Sequence, residues 1–215
     1  ALDRIWGNLT DTRMHITGGL GAVHGIEGFG PAYLLPNADA FNETCAAVGN
    51  VLFNFRMFLV HKDAKYLDVA EVSLLNNVLA AVNLEGNRFF YVNPLEADGK
   101  YPFNHGTMGR APWFGTACCP SNMARLLPQV QGMTYAHDDE NLYLAMYADT
   151  STKLDIGGTT LAVSQKTNYP NEGRVEVSLN PRKPAEFTLR LRIPTWTGKQ
   201  FVPGKLYEYL NSTSE

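Results

Sequence analysis

Clustered basic residues, long apolar runs and a full set of paired cysteines are what this chain lacks. Its 18 Lys and Arg residues are scattered and its net charge is −3, which leaves no electrostatic footprint for nucleic acid. No apolar run approaches the ~18 residues of a membrane span, and no cleavable signal segment is recognisable. Neither nucleic acid nor a membrane is therefore expected as a partner. Charged residues make up only 18% of the chain, below the usual ~25%. Cysteine is scarcer still, three in 215 residues, and an odd number excludes a fully paired disulfide scaffold.

Hydrophobic residues make up 45%, enough for a substantial core. They fall into two textures. Up to about residue 130 the spacing is helical, with Gly-rich connections. Leu2, Ile5, Trp6 and Leu9 form one stripe, opened by no capping residue. Cys45, Val48, Leu52, Phe55 and Leu59 form a second, and Leu67, Val72, Leu75 and Leu79 a third. "SNMARLLPQV" is a short further helix with Ser121 or Asn122 as N-cap, and "RFFYVNPL" reads as a strand or hairpin arm. After about residue 133, "NLYLAMYA", "TKLDIGG", "TTLAVSQKT", "GRVEVSLN" and "EFTLRLRIP" alternate in short runs between turn residues, the pattern of an antiparallel sandwich. The expected fold class is thus mixed, all-α followed by all-β, with domains at 1–132 and 133–215. Helices with such broad apolar faces need other helices to cover them. A mature or truncated chain is expected, carrying the last part of a larger helical domain.

"GTACCPSN" sets Cys118 beside Cys119. Adjacent half-cystines rarely bridge each other, and pairing either with Cys45 strands the other. Glu43 precedes Cys45 by two positions, and three sulfurs with one carboxylate make the four ligands of tetrahedral zinc. The spacing is not that of a zinc finger. Glu43 and Cys45 could share an ion only at the first turn of their helix, where Asp39 or Asn42 could cap. The competing reading is three buried, inert cysteines and a glutamate favoured by the helix dipole. If the ion is present, three thiolates and a carboxylate over-neutralise it, and one thiolate is held loosely enough to remain a nucleophile.

Among the acids, Glu27 lies in the Gly-rich "VHGIEGFGP" after His24, where partly apolar surroundings can favour a general acid; the plain alternative is a solvated loop carboxylate. Glu71 falls on an otherwise apolar helix face, where it could point inward towards a sugar hydroxyl; a solvated helix glutamate is the plain alternative. Tyr91 alternates with Phe90, as a core residue would. His15 and His105 are isolated and read as structural histidines. "TGGLG" lacks the strand–loop–helix context of a phosphate loop.

Taken together, "ITGGLG", "EGFGPAYLLPNADAFNETCA", "KYLDVAEVSLLNNVL", "RFFYVNPL", "PWFGTACCPSN" and "LRIPTW" closely resemble the β-L-arabinofuranosidases of glycoside hydrolase family 127 and the related family 146, from about residue 14 to the end. The resemblance implies the last helices of an (α/α)6 barrel followed by a β-sandwich, with the rest of the barrel as the partner of this chain. It implies a retaining hydrolase releasing L-arabinofuranose from an arabinofuranose-containing glycan or glycopeptide. It implies Zn2+ on Glu43, Cys45, Cys118 and Cys119, with Cys118 as nucleophile and Glu27 as acid/base. Glu71 and Tyr91 would lie in the sugar pocket, and His24 is expected to touch substrate too. Two departures stand out. Ile26 is an extra residue between Gly25 and Glu27, and Leu34 stands where the family usually has an acid, which leaves room for another furanoside-like sugar. A zinc-stabilised carbohydrate-binding or structural module without catalysis is the alternative from another class.

Overall fold

In the computed structural model of the chain, residues 1–198 and 200–209 are described. They form two compact units, residues 1–126 with 194–209, and Leu127–Ile193. Helix and strand content is mixed, as expected.

The first unit contains α1 (Leu2–Thr12), α2 (Thr44–His61) and α3 (Ala64–Ser73), and α4 (Cys118–Val130) begins in it. α2 stops where Lys62 takes a left-handed backbone, φ 57°. Asp63 at once caps α3 by accepting from the Lys65 N–H at 3.0 Å, so the two helices turn back on each other through a short link. On α2 the buried residues include Ala47, Val48, Asn50, Val51, Asn54 and Phe58. This face is rotated from the expected stripe, and Leu59 is exposed. The reason is polar: Asn50 donates to Gly18 O at 3.0 Å and to Ser73 Oγ at 2.9 Å, and Asn54 Oδ1 accepts from Trp6 Nε1 at 2.7 Å. Asparagines that satisfy buried backbone groups belong to the core but carry no hydrophobic signal.

α3 is buried on all sides from Tyr66 to Ser73. The helix expected to run through Leu79 widens instead into a π turn (Leu74–Val78) and then a 3₁₀ turn (Leu79–Ala81). Ser73 Oγ bonds back to the Val69 carbonyl at 2.9 Å, a contact that loosens a regular helix. "TGGLG" packs on this helix. A Cβ on Gly18 would strike the Ser73 backbone, and one on Gly19 the side chains of Asn42 and Asn77, so these glycines serve close approach. On α1, Trp6 and Leu9 pack with Met14, Leu20, Val69 and Val72, whereas Leu2 and Ile5 of the same expected stripe are exposed.

"RFFYVNPL" is not a strand. Phe89 makes isolated bridges to Val82 and Ala111, and the Asn104 side chain takes the Tyr91 and Val92 N–H groups at 2.8 and 3.3 Å. α4 starts at Cys118, ahead of the expected caps. Ser121 Oγ bonds back to Ala117 O and Cys118 O, and Pro120 fills the first turn, where a missing N–H costs nothing.

The second unit holds two three-stranded sheets. β1 (Tyr135–His137), β2 (Asn141–Leu144) and β6 (Thr188–Leu191) form one; β3 (Thr150–Ile156), β4 (Thr159–Thr167) and β5 (Val175–Pro181) form the other. β3 and β4 meet at Gly157 and Gly158, both with positive φ, a two-residue hairpin that only such residues close without strain. The pairing is not wholly antiparallel as expected, because β2 and β6 run parallel. β6 is far from β2 in the chain and enters beside it after the β3–β5 meander, which alternation within single strands cannot reveal. Leu142 and Leu144 share one apolar cluster with Ile156, Leu161 and Val163.

His15 is 1% exposed, its Nε2 has no partner among the described residues, and burial pulls its pKa from 6.5 down to about 4. An unfolded chain takes up this proton near pH 6.5 and the folded one only near pH 4, so its neutral burial is fully tolerated above 6.5 and stability falls as the pH drops towards 4. At ~1.4 kcal/mol per unit the loss reaches about 3 kcal/mol. Urea unfolding of His15→Leu should show a flatter acid limb than the parent between these pH values; an unchanged limb would assign the acid sensitivity elsewhere.

Candidate metal centre and active site

The N-termini of two helices meet at one point. Glu43 is the N-cap residue of α2, with φ −58° and ψ 134°, and its side chain makes no cap hydrogen bond. Cys45 follows in the first helical turn. The expected caps do not serve: Asn42 is buried in a left-handed backbone, φ 46°, and its Nδ2 donates to Asn93 O at 2.9 Å. Because Glu43 lies outside the helical spiral, its carboxylate and the Cys45 sulfur converge despite the spacing that would separate them within it. Cys118 and Cys119 open α4.

Glu43 Oε1 lies 3.3 Å from Cys118 Sγ and 3.5 Å from Cys119 Sγ. Cys119 Sγ is 3.2 Å from Cys45 Sγ and 3.9 Å from Cys118 Sγ. All three cysteines are free. The four ligand atoms lie within 4.8 Å of one another, and the group could hold a metal ion. A tetrahedral ion with metal–sulfur bonds of about 2.3 Å has edges near 3.8 Å, so the separations of 3.2 to 4.8 Å bracket that edge and would each change by about 1 Å or less on binding. Both helix N-termini direct partial positive charge at these acidic groups, which favours their ionised forms.

The three sulfurs differ. The Cys45 thiol is held below its usual value, chiefly by the hydrogen bond with Cys119 and then, against burial, by Asn122, whose Nδ2 donates to Cys45 Sγ at 3.2 Å. Cys119 is driven up by that same bond with Cys45 and by burial. Cys118 is pushed up to about 11, mainly by burial and against a hydrogen bond with Tyr91. Of the three, Cys45 is the sulfur whose ionised form the surroundings favour, and Cys118 and Cys119 are the ones they disfavour. Tyr91 is buried, its hydroxyl 3.0 Å from Cys118 Sγ. Burial raises its pKa, followed by the Cys118 hydrogen bond and the charges of Glu43 and Glu27. The phenol stays protonated and can donate to the sulfur.

Of the other residues singled out in the sequence, Glu27 and His24 are linked to this group through Tyr91 and Phe41, whereas the contacts of Glu71 and Leu34 lie with other residues. Glu27 is exposed at the end of a loop closed by a Val23–Gly28 bridge, with φ 48°, and its charge reaches Tyr91. Ile26, the extra residue beside it, is 69% exposed. His24 Nε2 is 3.6 Å from Asp39 Oδ1, and its ring meets Phe41 edge-on at 5.3 Å; Phe41 packs in the cluster of Tyr91, Phe114 and Cys119. Glu71 is buried on α3, Oε2 accepting from Trp196 Nε1 at 3.1 Å. Leu34 is partly exposed and lies over Gly30. Sequence reasoning missed Asn122 as a sulfur partner. The signal was available, since Asn122 follows Cys118 by one helical turn and so shares its face.

The geometry thus sets a buried phenol against a cysteine-rich group that could hold a metal ion. Comparison with known proteins defines the class. Residues 1–132 match the catalytic-domain profile of β-L-arabinofuranosidase GH127, and residues 141–207 match its middle-domain profile. A non-reducing end β-L-arabinofuranosidase of Bifidobacterium longum subsp. longum is 35% identical over 201 residues, 90% of this chain and 30% of that protein. A solved GH127 β-arabinofuranosidase superposes with a TM-score of 0.92 at 42% identity, covering 99% of this chain and 32% of the other. A GH127 β-L-arabinofuranosidase of Geobacillus stearothermophilus T6 gives 0.83 at 38% identity, over 89% and 31%. The chain thus spans about a third of the length of these relatives. It belongs to the glycoside hydrolases, and within them to family GH127.

The cluster predicts a stoichiometric metal response. Adding zinc to the reduced, metal-stripped protein should raise its Tm by several degrees, because an ion that binds only the folded form stabilises it. Cys45→Ser and Cys119→Ser should each remove most of the rise. Scanning calorimetry with and without zinc checks this, and an equal rise in the variants would move the ion elsewhere.

Proposed function

We propose that the whole protein is a retaining β-L-arabinofuranosidase, with Cys118 as nucleophile and Glu27 as general acid and base. It would release L-arabinofuranose from an arabinofuranose-containing glycan or glycopeptide. Residues 1–132 are read as the C-terminal part of an (α/α)6 catalytic barrel, completed by helices supplied elsewhere in the protein, and residues 133–215 as a β-sandwich domain. The observation that carries this reading is the position of Cys118 Sγ, which is at once a member of the four-ligand group and 3.0 Å from the Tyr91 hydroxyl. The names of the relatives supply the sugar.

Glu43, Cys45, Cys118 and Cys119 would hold Zn2+. When bound, the ion keeps the thiols ionised near neutral pH and offsets their repulsion. Glu27, protonated, gives its proton to the glycosidic oxygen as Cys118 Sγ attacks the anomeric carbon from the opposite side. The aglycone leaves as an alcohol, and the sugar is held through a carbon–sulfur bond. Glu27, now a carboxylate, takes a proton from water as the water oxygen attacks the same carbon. The electron pair of the broken bond returns to sulfur, and two inversions retain configuration. Tyr91, kept protonated by its burial, donates to Cys118 and steadies the returning thiolate. Glu71, aligned by the Trp196 indole, and His24 are read as partners of sugar hydroxyls.

Two outcomes test the roles. Cys118→Ser should abolish turnover even where zinc is retained, because a serine hydroxyl is scarcely ionised near neutral pH; an electrophilic L-arabinofuranose analogue should label Cys118 and no other side chain, read by peptide mass spectrometry. Label on Cys119 would sink the assignment. Glu27→Gln should slow cleavage of an unactivated glycan by about 10²–10⁴, but the glycosylation step of an aryl glycoside with a good leaving group much less. Equal losses in kcat/KM would reduce Glu27 to a positional role.

A further inference from the structure

The turn at residues 104–107 lies outside the roles assigned so far, yet it grips Tyr91 in two ways. Asn104 is fully buried. Its Oδ1 accepts from the Tyr91 N–H at 2.8 Å and the Val92 N–H at 3.3 Å. Its Nδ2 donates to Phe89 O at 3.1 Å and Gly109 O at 2.8 Å. These four contacts use the whole hydrogen-bonding capacity of a carboxamide. The turn is stiff. Asn104 and Thr107 exchange both backbone bonds, at 2.9 and 3.2 Å, and Thr107 Oγ1 bonds Asn104 O and Gly109 O. His105 follows with φ 50°. Its ring lies against that of Tyr91, centroids 4.4 Å apart, and meets Phe114 at 5.7 Å. Phe114 in turn contacts Tyr91 edge-on at 5.5 Å.

We propose that Asn104 is a positioning residue for Cys118 that acts through Tyr91. It fixes the backbone from which Tyr91 projects, His105 closes one side of the ring, and the hydroxyl is left to face the sulfur at 3.0 Å. The side chain must be a carboxamide of this length. Aspartate lacks the two donors, serine cannot reach four groups, and glutamine adds a methylene to a packed site. A displacement of about 1 Å in a contact that bears on a reacting atom can cost about 100-fold in rate, so the demand on this turn is stringent. The catalytic consequence rests on Cys118 being the nucleophile; the geometry does not.

The test reads the sulfur directly. The rate of Cys118 alkylation by iodoacetamide, followed by peptide mass spectrometry at one pH, is measured in the zinc-loaded whole protein and in Tyr91→Phe, Asn104→Ala and the double variant. Tyr91→Phe should change the rate at least threefold. Asn104→Ala should reproduce that change within a factor of two and add nothing in the Tyr91→Phe background, the mark of two residues acting through one contact. Independent, multiplying effects overturn the proposal, as does a folded Asn104→Ala with unchanged reactivity or a silent Tyr91→Phe. If Asn104→Ala does not fold, Asn104→Asp replaces it in the same cycle, keeping the two accepting contacts and losing the two donating ones. Alkylation needs no glycoside, so failure to hydrolyse arabinofuranosides would count against the proposed activity and leave this cycle readable.

Discussion

Four acidic side chains packed within a few ångströms of one another are the constraint to which the rest of the helical unit answers. Crowding sets the three thiols apart: the hydrogen bond with Cys119 lowers Cys45, while burial raises Cys118, and that same bond together with burial raises Cys119. The chain meets the crowding with backbone polarity. It starts two helices at the group, so that the positive ends of two helix dipoles lie beside it. Glu43 gives up the capping role its position would allow, and its carboxylate turns to the cysteines instead. Pro120 secures the first turn of α4 without needing an N–H.

The same demand explains the stitching behind the site. The segment that carries Glu43 is tied on two sides: Phe41 and Asn42 donate to Ala22 O and Gly21 O, and the Thr44 N–H donates to Tyr91 O. The segments leading to Glu27, Glu43 and Tyr91 are thus tied together through the backbone, though they come from three parts of the sequence. Buried asparagines do much of this work. A carboxamide can satisfy donor and acceptor alike without adding charge to a place already too negative.

The sequence made the chemistry legible and hid the supports. Adjacent cysteines in a cysteine-poor chain raised the metal question, and the E-T-C and C-C motifs carried the family. Periodicity found α2 and α3 but not the inward face of α2, because Asn50 and Asn54 are core residues with polar side chains. It read residues 88–95 as a strand or hairpin arm, where Phe89 makes only isolated bridges and the Tyr91 and Val92 N–H groups go to the side chain of Asn104, which no alternation pattern records. It placed the start of α4 at Ser121 or Asn122, since both are strong caps, when the helix instead starts on the sulfurs and Asn122 faces Cys45. It gave no sign of the parallel β2–β6 pair, which depends on where a distant strand returns.

Glu43 and Cys118 are 75 positions apart. An ion held between them therefore ties off a long loop that contains α3, the turn at 104–107 and the Tyr91 segment. In an unfolded chain a covalent bridge of that span would remove conformational freedom worth about 4–5 kcal/mol, and a four-ligand metal knot acts in the same sense. The group is then placed to act as a fastening: an ion held there would join Glu43 and Cys45, at the start of this loop, to Cys118 and Cys119 at its end.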